Sequence, residues 1–126
     1  LLCASGPPRF LADRLADDGV GCEVVDLRVI NPLDRRVILE SDARTGALVV
    51  VDGGFRSCGL AAEVVASVME GLGPKALRAA PVRVTLPDAP APSSAALEKA
   101  YYPQIAGVVV AVQQALGRKR TKTRIG

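Results

Sequence analysis

Apolar residues come in two rhythms along this chain, short continuous runs and longer stripes at helical spacing, and the two alternate. Leu1 to Ser5 is an apolar run that stops at Gly6-Pro7-Pro8, where proline suits the first turn of a helix. Phe10, Leu11 and Leu15 then recur at helical spacing, and Gly19 closes that helix. Cys22 to Leu27 reads as a second strand, carried by Val24, Val25 and Leu27. Asn31-Pro32-Leu33-Asp34 is a turn, with Asp34 as the N-cap of a short helix through Glu40. Thr45-Gly46 turns the chain into Ala47-Leu48-Val49-Val50-Val51, the clearest strand, which ends at Asp52. Gly53 to Gly59 follows as a loop. Ala61, Val64, Val65, Val68, Met69 and Leu72 then hold i, i+3, i+4 spacing as the clearest helix, over 59–72. Val82 to Leu86 is a fourth strand, and Pro87 to Ser94 a Pro-rich surface loop. A short helix near Leu97 breaks at Tyr101-Tyr102-Pro103. Ile105, Val108, Val109, Val112 and Leu116 make a last helix, over 105–116, with Gly117 as its stop.

Four apolar strands alternating with helices predict an α/β fold, a three-layer α/β/α sandwich around a doubly wound, mainly parallel sheet. The chain of 126 residues is one domain by length. Aromatics make up only 3% of it, so Val, Leu, Ile and Ala must build the core. The formal charge of +3 is a property of one end. Gly117 to Gly126 holds Arg118, Lys119, Arg120, Lys122 and Arg124 and no acid; without those five, 11 basic residues face 13 acidic ones. The division predicted is a folded domain over 1–116 and a disordered basic tail over 117–126. A nucleic-acid module would spread its basic residues over a face or a groove-facing helix, so no nucleic-acid partner is expected. The longest apolar run, Ile105 to Val112, is too short for a span of about 20 residues, so no membrane is expected either. Cys3, Cys22 and Cys58 form no C-x-x-C pair and fit reduced thiols in a cytoplasmic or mitochondrial-matrix setting. Opening inside an apolar strand, the chain reads as a piece of a longer one.

Four segments in order form a recognisable pattern. They are Glu23-Val24-Val25-Asp26-Leu27-Arg28 with Pro32-Leu33-Asp34; Thr45-Gly46 followed by Leu48-Val49-Val50-Val51-Asp52; Gly59-Leu60-Ala61-Ala62-Glu63-Val64; and Ala80-Pro81-Val82 with Val84, running on to Pro90, Pro92, Leu97-Glu98, Tyr101 and Pro103. Over about Leu2 to Leu116 the chain resembles the C-terminal domain of transketolase-like thiamine enzymes. Closest is the β subunit of the decarboxylating component of 2-oxo acid dehydrogenases of the pyruvate, branched-chain or acetoin type.

The resemblance implies a strand order of second, first, third, fourth. It also implies a domain for assembly: catalytic residues none, cofactor-binding residues none, metal ligands none. Thiamine diphosphate and Mg would be held in the intact oxidoreductase by other domains, which also supply the activating glutamate and the histidines; this chain has no His. The implied partners are the remainder of the β subunit, the α subunit, a second β subunit and the lipoyl acyltransferase core. A further antiparallel strand would precede Leu1, and without it Cys22 to Leu27 would be an open edge. Relatives often carry Gly at the place of Cys58 and of Ala61.

Ligand-cleft candidates follow from topology. Open α/β sheets bind ligands beyond the carboxyl ends of the strands where the strand order reverses. That places Ser5, Gly6, Gly53, Gly54, Arg56 and Ser57 at the cleft, with a helix N-terminus suited to an anion. The plainer reading is that the glycines permit a tight turn. Cys58, just before that helix, has no histidine base to make it a nucleophile. Asp52 is expected to cap or to pair with Arg56. Tyr101 and Tyr102 are interface candidates, with packing beneath the Pro-rich loop as the alternative. The competing function is a free-standing nucleotide- or anion-binding module. A dinucleotide site wants G-x-G-x-x-G after the first strand, and Gly6-Pro7-Pro8-Arg9 does not supply it.

Overall fold

The computed structural model describes residues 2–3 and 8–118. The elements run β1 (Leu2–Cys3), α1 (Pro8–Asp17), β2 (Val25–Asp26), α2 (Arg35–Thr45), β3 (Val49–Phe55), α3 (Leu60–Leu72), a 3-10 turn (Pro74–Ala76), β4 (Val82–Leu86), α4 (Ala95–Tyr101) and α5 (Ile105–Ala115). The four strands lie in the order β2-β1-β3-β4, each pair parallel. This is the expected α/β fold, with its order reversing between β1 and β3.

Successive side chains of β3 point to opposite faces, and both faces are covered. Val49 and Val51 join Leu15, Val20, Val108, Ala111, Val112 and Ala115 in one apolar cluster, beneath α1 and α5. Leu48 and Val50 join Leu27, Ile38, Ala61, Val64 and Val68 in the other, beneath α2 and α3. The central strand is therefore buried on both sides while β4, at the edge, is only half-buried up to Leu86.

The elements differ from expectation in four places. The second strand is Val25–Asp26 where Cys22–Leu27 was expected; among the described residues it pairs with Leu2 and Cys3 of β1. The third strand does not stop at Asp52. Past an irregularity after Val51 it re-pairs at Phe55 with Leu86, and the Arg56 N–H bonds to the Leu86 carbonyl at 3.0 Å. Helix α2 runs beyond Glu40 to Thr45. Ile38 anchors it in the core, and Gly46, at φ 63°, closes it by donating its N–H to the Asp42 carbonyl at 2.8 Å. Asp34 is the N-cap as expected, accepting from the amides of Arg36 and Val37. The fourth difference is a single position, Ile105 at the start of α5, while the expected faces of α3 and α5 are the ones that pack on the sheet. On α3 the buried residues are Ala61, Val64, Ser67 and Val68, and on α5 Val108, Ala111, Val112 and Ala115. Val65 and Val109, half-buried, pack against the same two clusters, and Ile105 is exposed.

The gradation of burial within the face sets a test. Val68→Asp puts a charge where the native side chain is 0% exposed, and should destabilise the domain by several kcal/mol. Val65→Asp should cost clearly less, since its carboxylate can reach water. Thermal melts of the two variants check this, and equal losses would contradict the assigned face. The expected tail over 117–126 falls, from residue 119 on, outside the described residues.

Candidate functional site

The carboxyl ends of β3 and β4 lie side by side, next to the switch point between β1 and β3. Ser5 and Gly6 lie outside the described residues. Gly53 and Gly54 belong to the last part of β3, and Arg56 and Ser57 begin the turn into α3. Gly59 is the helix N-cap and has no side chain to serve as one, so the capping carboxylate comes from further back.

Asp52, only 7% exposed, provides it. Its Oδ1 accepts the Gly54 N–H at 2.9 Å and its Oδ2 the Ala61 N–H at 3.2 Å. Asp52 thus caps rather than pairing with Arg56. A second carboxylate closes the other half of the turn. Asp88, after β4, accepts the Ser57 N–H at 2.9 Å and the Ser57 hydroxyl at 2.6 Å. The Ser57 hydroxyl and then its amide, with Arg56 and Arg83 nearby, hold the Asp88 carboxyl below its usual value of 3.8. The Arg56 carbonyl in turn accepts from Arg83 Nη1 at 2.9 Å. The amides of residues 54, 56, 57 and 61 are therefore each engaged by the chain itself. No sequence signal pointed to Asp88 or Arg83, because their bonds join residues 31 and 27 positions apart in the chain.

Cys58 is exposed and sits in the left-handed region at φ 56°. A side chain there costs roughly 1–2 kcal/mol. Cys58→Gly should therefore raise stability by about 1 kcal/mol, less the extra freedom glycine gives the unfolded chain. Chemical denaturation measures it, and a loss would mean that the thiol makes a contact worth more than the strain.

Tyr101 and Tyr102 pack edge to face, with ring centroids 5.3 Å apart. The Tyr101 hydroxyl donates to the Ala89 carbonyl at 2.7 Å, tying α4 beneath the Pro-rich loop, while Tyr102 is 44% exposed. Cys22 is half-buried against the α1/α5 cluster, and burial pushes its thiol pKa up. At the opposite end of the sheet, Val20, Cys22, Ala47 and Val112 line a pocket of about 60 Å³, room for a few water molecules. Among the described residues, no cluster of three His, Cys, Asp or Glu is placed to hold a metal.

One titratable group is buried away from this end. Asp42, on α2, is 2% exposed, and its Oδ2 has no hydrogen-bond partner among the described residues. Burial raises its pKa above 3.8. A raised carboxyl pKa favours the folded state below the unfolded value, and that contribution is lost as pH climbs through the folded one. Asp42→Asn should accordingly be more stable than the parent at pH 7, by about 1 kcal/mol. The gap should close in acid. Melting curves across pH check both the sign and the slope.

Residues 10–108 match the family described as "Transketolase, C-terminal domain". The chain belongs to that family. Sequence relatives of this transketolase C-terminal domain are β subunits. It is 40% identical over 102 residues to "Pyruvate dehydrogenase E1 component subunit beta, mitochondrial" of Mus musculus, covering 81% of this chain and 28% of that one. It is 39% identical over 106 residues to "Acetoin:2,6-dichlorophenolindophenol oxidoreductase subunit beta" of Cupriavidus necator, covering 83% of this chain and 31% of that one. Among solved structures it superposes on a "Split gene transketolase, inactive beta4 tetramer" with a TM-score of 0.72 and 28% identity, over 94% of this chain and 38% of the other. The transketolase C-terminal domain thus spans less than a third of the length of the two β subunits. In the described part of its switch-point loop, the Gly54, Ser57 and Ala61 amides are already bonded to Asp52 and Asp88.

Proposed function

We propose that this domain is a non-catalytic assembly domain of the β subunit of a thiamine-diphosphate-dependent 2-oxo acid dehydrogenase. The intact enzyme would oxidatively decarboxylate a 2-oxo acid and transfer the acyl group to a lipoyl arm. Thiamine diphosphate and Mg would be bound by its other domains. The observation that carries this reading is the 40% identity to a β subunit across 81% of the chain.

Two features of the domain support it. The loop amides at the switch point are spent on internal carboxylates, which suits a scaffold better than a ligand site. Several large apolar side chains are also exposed, among them Val29 and Ile30 after β2, Phe55 at the end of β3, Leu97 on α4, and Tyr102 and Ile105 between α4 and α5. Such residues on an otherwise polar surface favour burial against another chain or domain. The partners proposed are the remainder of the β subunit, a second β subunit, the α subunit and the lipoyl acyltransferase core. The compartment is the cytoplasm or the mitochondrial matrix.

Sedimentation velocity on the chain tests the assembly role. Mass should rise with protein concentration, through an apolar two-fold contact, since β2 is too short an edge to pair well. A strict monomer at high concentration would overturn self-association and leave the α subunit as the partner to examine.

A further inference from the structure

We propose that the outer edge of β4 is a docking site for an extended, carboxylate-bearing strand of a partner chain. This rests on reading the domain as an assembly module, and adds where one partner binds and by what chemistry.

The backbone comes first. β4 ends the sheet. The Val82 N–H bonds to the Leu48 carbonyl and the Leu86 carbonyl accepts the Arg56 N–H, each at 3.0 Å, so Val82, Val84 and Leu86 direct their backbone groups at β3. Alternation then turns the N–H and C=O of Arg83 and Thr85 outward, where no strand pairs with them among the described residues. Unpaired edge groups are a template for a further strand.

The groove beside that edge fits one. It runs from Pro81 to Pro87, with Gln114 of α5 along its first stretch and Tyr101 and Tyr102 along its second. Arg56 and Arg83 line both stretches. Among the described residues neither guanidinium is in an ion pair, whereas Arg28, Arg35 and Arg44 each have a carboxylate. The one acid close to both, Asp88, is already held by Ser57. Two guanidinia then face a single nearby carboxylate, and an edge with this surplus of positive charge and a tyrosine wall calls for alternating acidic and apolar side chains, the pattern of strand addition. The chain's own basic tail is of the wrong charge. A second copy pairing edge to edge would set arginine against arginine.

A fluorescein-labelled hexapeptide of alternating valine and glutamate is the probe, and its valine–lysine counterpart the control. Anisotropy should show binding of the acidic peptide alone, weakening as salt rises. Arg83→Gln should bind about tenfold more weakly, the scale of one lost charge-assisted contact. Arg56→Gln, whose side chain makes no hydrogen bond or ion pair among the described residues, should weaken binding similarly and guards against misfolding of the first variant. The amides of Arg83 and Thr85 should gain protection from hydrogen exchange when the peptide is bound.

Equal binding of both peptides, no binding, or binding without that protection would overturn the proposal. So would full displacement by free glutarate at the peptide's own concentration, which would mark an anion contact without strand pairing. Failure of peptide binding with self-association intact would refute the groove alone. A monomeric chain that still binds the peptide would refute the two-fold contact alone.

Discussion

Gly59→Ala is expected to be among the most damaging single-methyl additions in this domain, costing about 3 kcal/mol or more. The reason is space and not backbone strain. Gly59 has an ordinary extended conformation, φ −86° and ψ 167°. A Cβ built there would lie 2.1 Å from the Phe55 carbonyl oxygen and 3.3 Å from Asp52 Oδ2. The first neighbour is backbone, fixed by the pairing of Phe55 with Leu86, and cannot swing aside. Relief would require the turn to pull away from β3 and to break the cap on α3. Gly107→Ala is the matched control. A Cβ there meets nothing within 4 Å, so in helix α5 it should gain roughly 0.5–1 kcal/mol. Denaturant melts of both variants should move in opposite directions. A Gly59→Ala protein as stable as the parent would mean that the turn is looser than described.

Asp52→Ala should follow closely, at about 3 kcal/mol. It removes both acceptors, leaving the Gly54 and Ala61 amides unsatisfied at roughly 1–3 kcal/mol for a buried orphan. Asp52→Asn keeps one oxygen and should lose about half as much. Hydrogen exchange adds a local readout, since the Ala61 amide should lose protection in Asp52→Ala before the rest of α3 does. Uniform loss along the helix would show Asp52 to be a core residue without a capping role.

The lines of the fold were legible because β3 is a run of valines and α3 keeps a helical stripe, signals that survive without tertiary knowledge. The boundaries were less so. Asp52-Gly53-Gly54 has the composition of a loop, and only Leu86 across the sheet draws Phe55 back into the ladder. Helix α2 hid its last turn behind Ser41 and Asp42, weak helix formers in isolation that tertiary packing holds in place. The stripe of α5 was legible at Val108, Val109, Val112 and Leu116, which all join one cluster, and only Ile105 was misplaced, because it is as apolar as they are and the sequence ranks hydrophobicity and not direction. At the switch point, Asp52 could be placed from its position at a strand end. Asp88 could not, because its partner Ser57 is 31 residues away in the chain. The Tyr101–Tyr102 pair was visible, but its place beside an open edge with Arg56 and Arg83 needed the sheet order.

The central proposal is that this domain holds parts of an enzyme together and performs none of its chemistry. Calorimetric titration of the chain with thiamine diphosphate and Mg tests that most directly. The account predicts no binding heat at any accessible concentration, because the loop amides are already bonded to Asp52 and Asp88. Saturable binding in the micromolar range would contradict it.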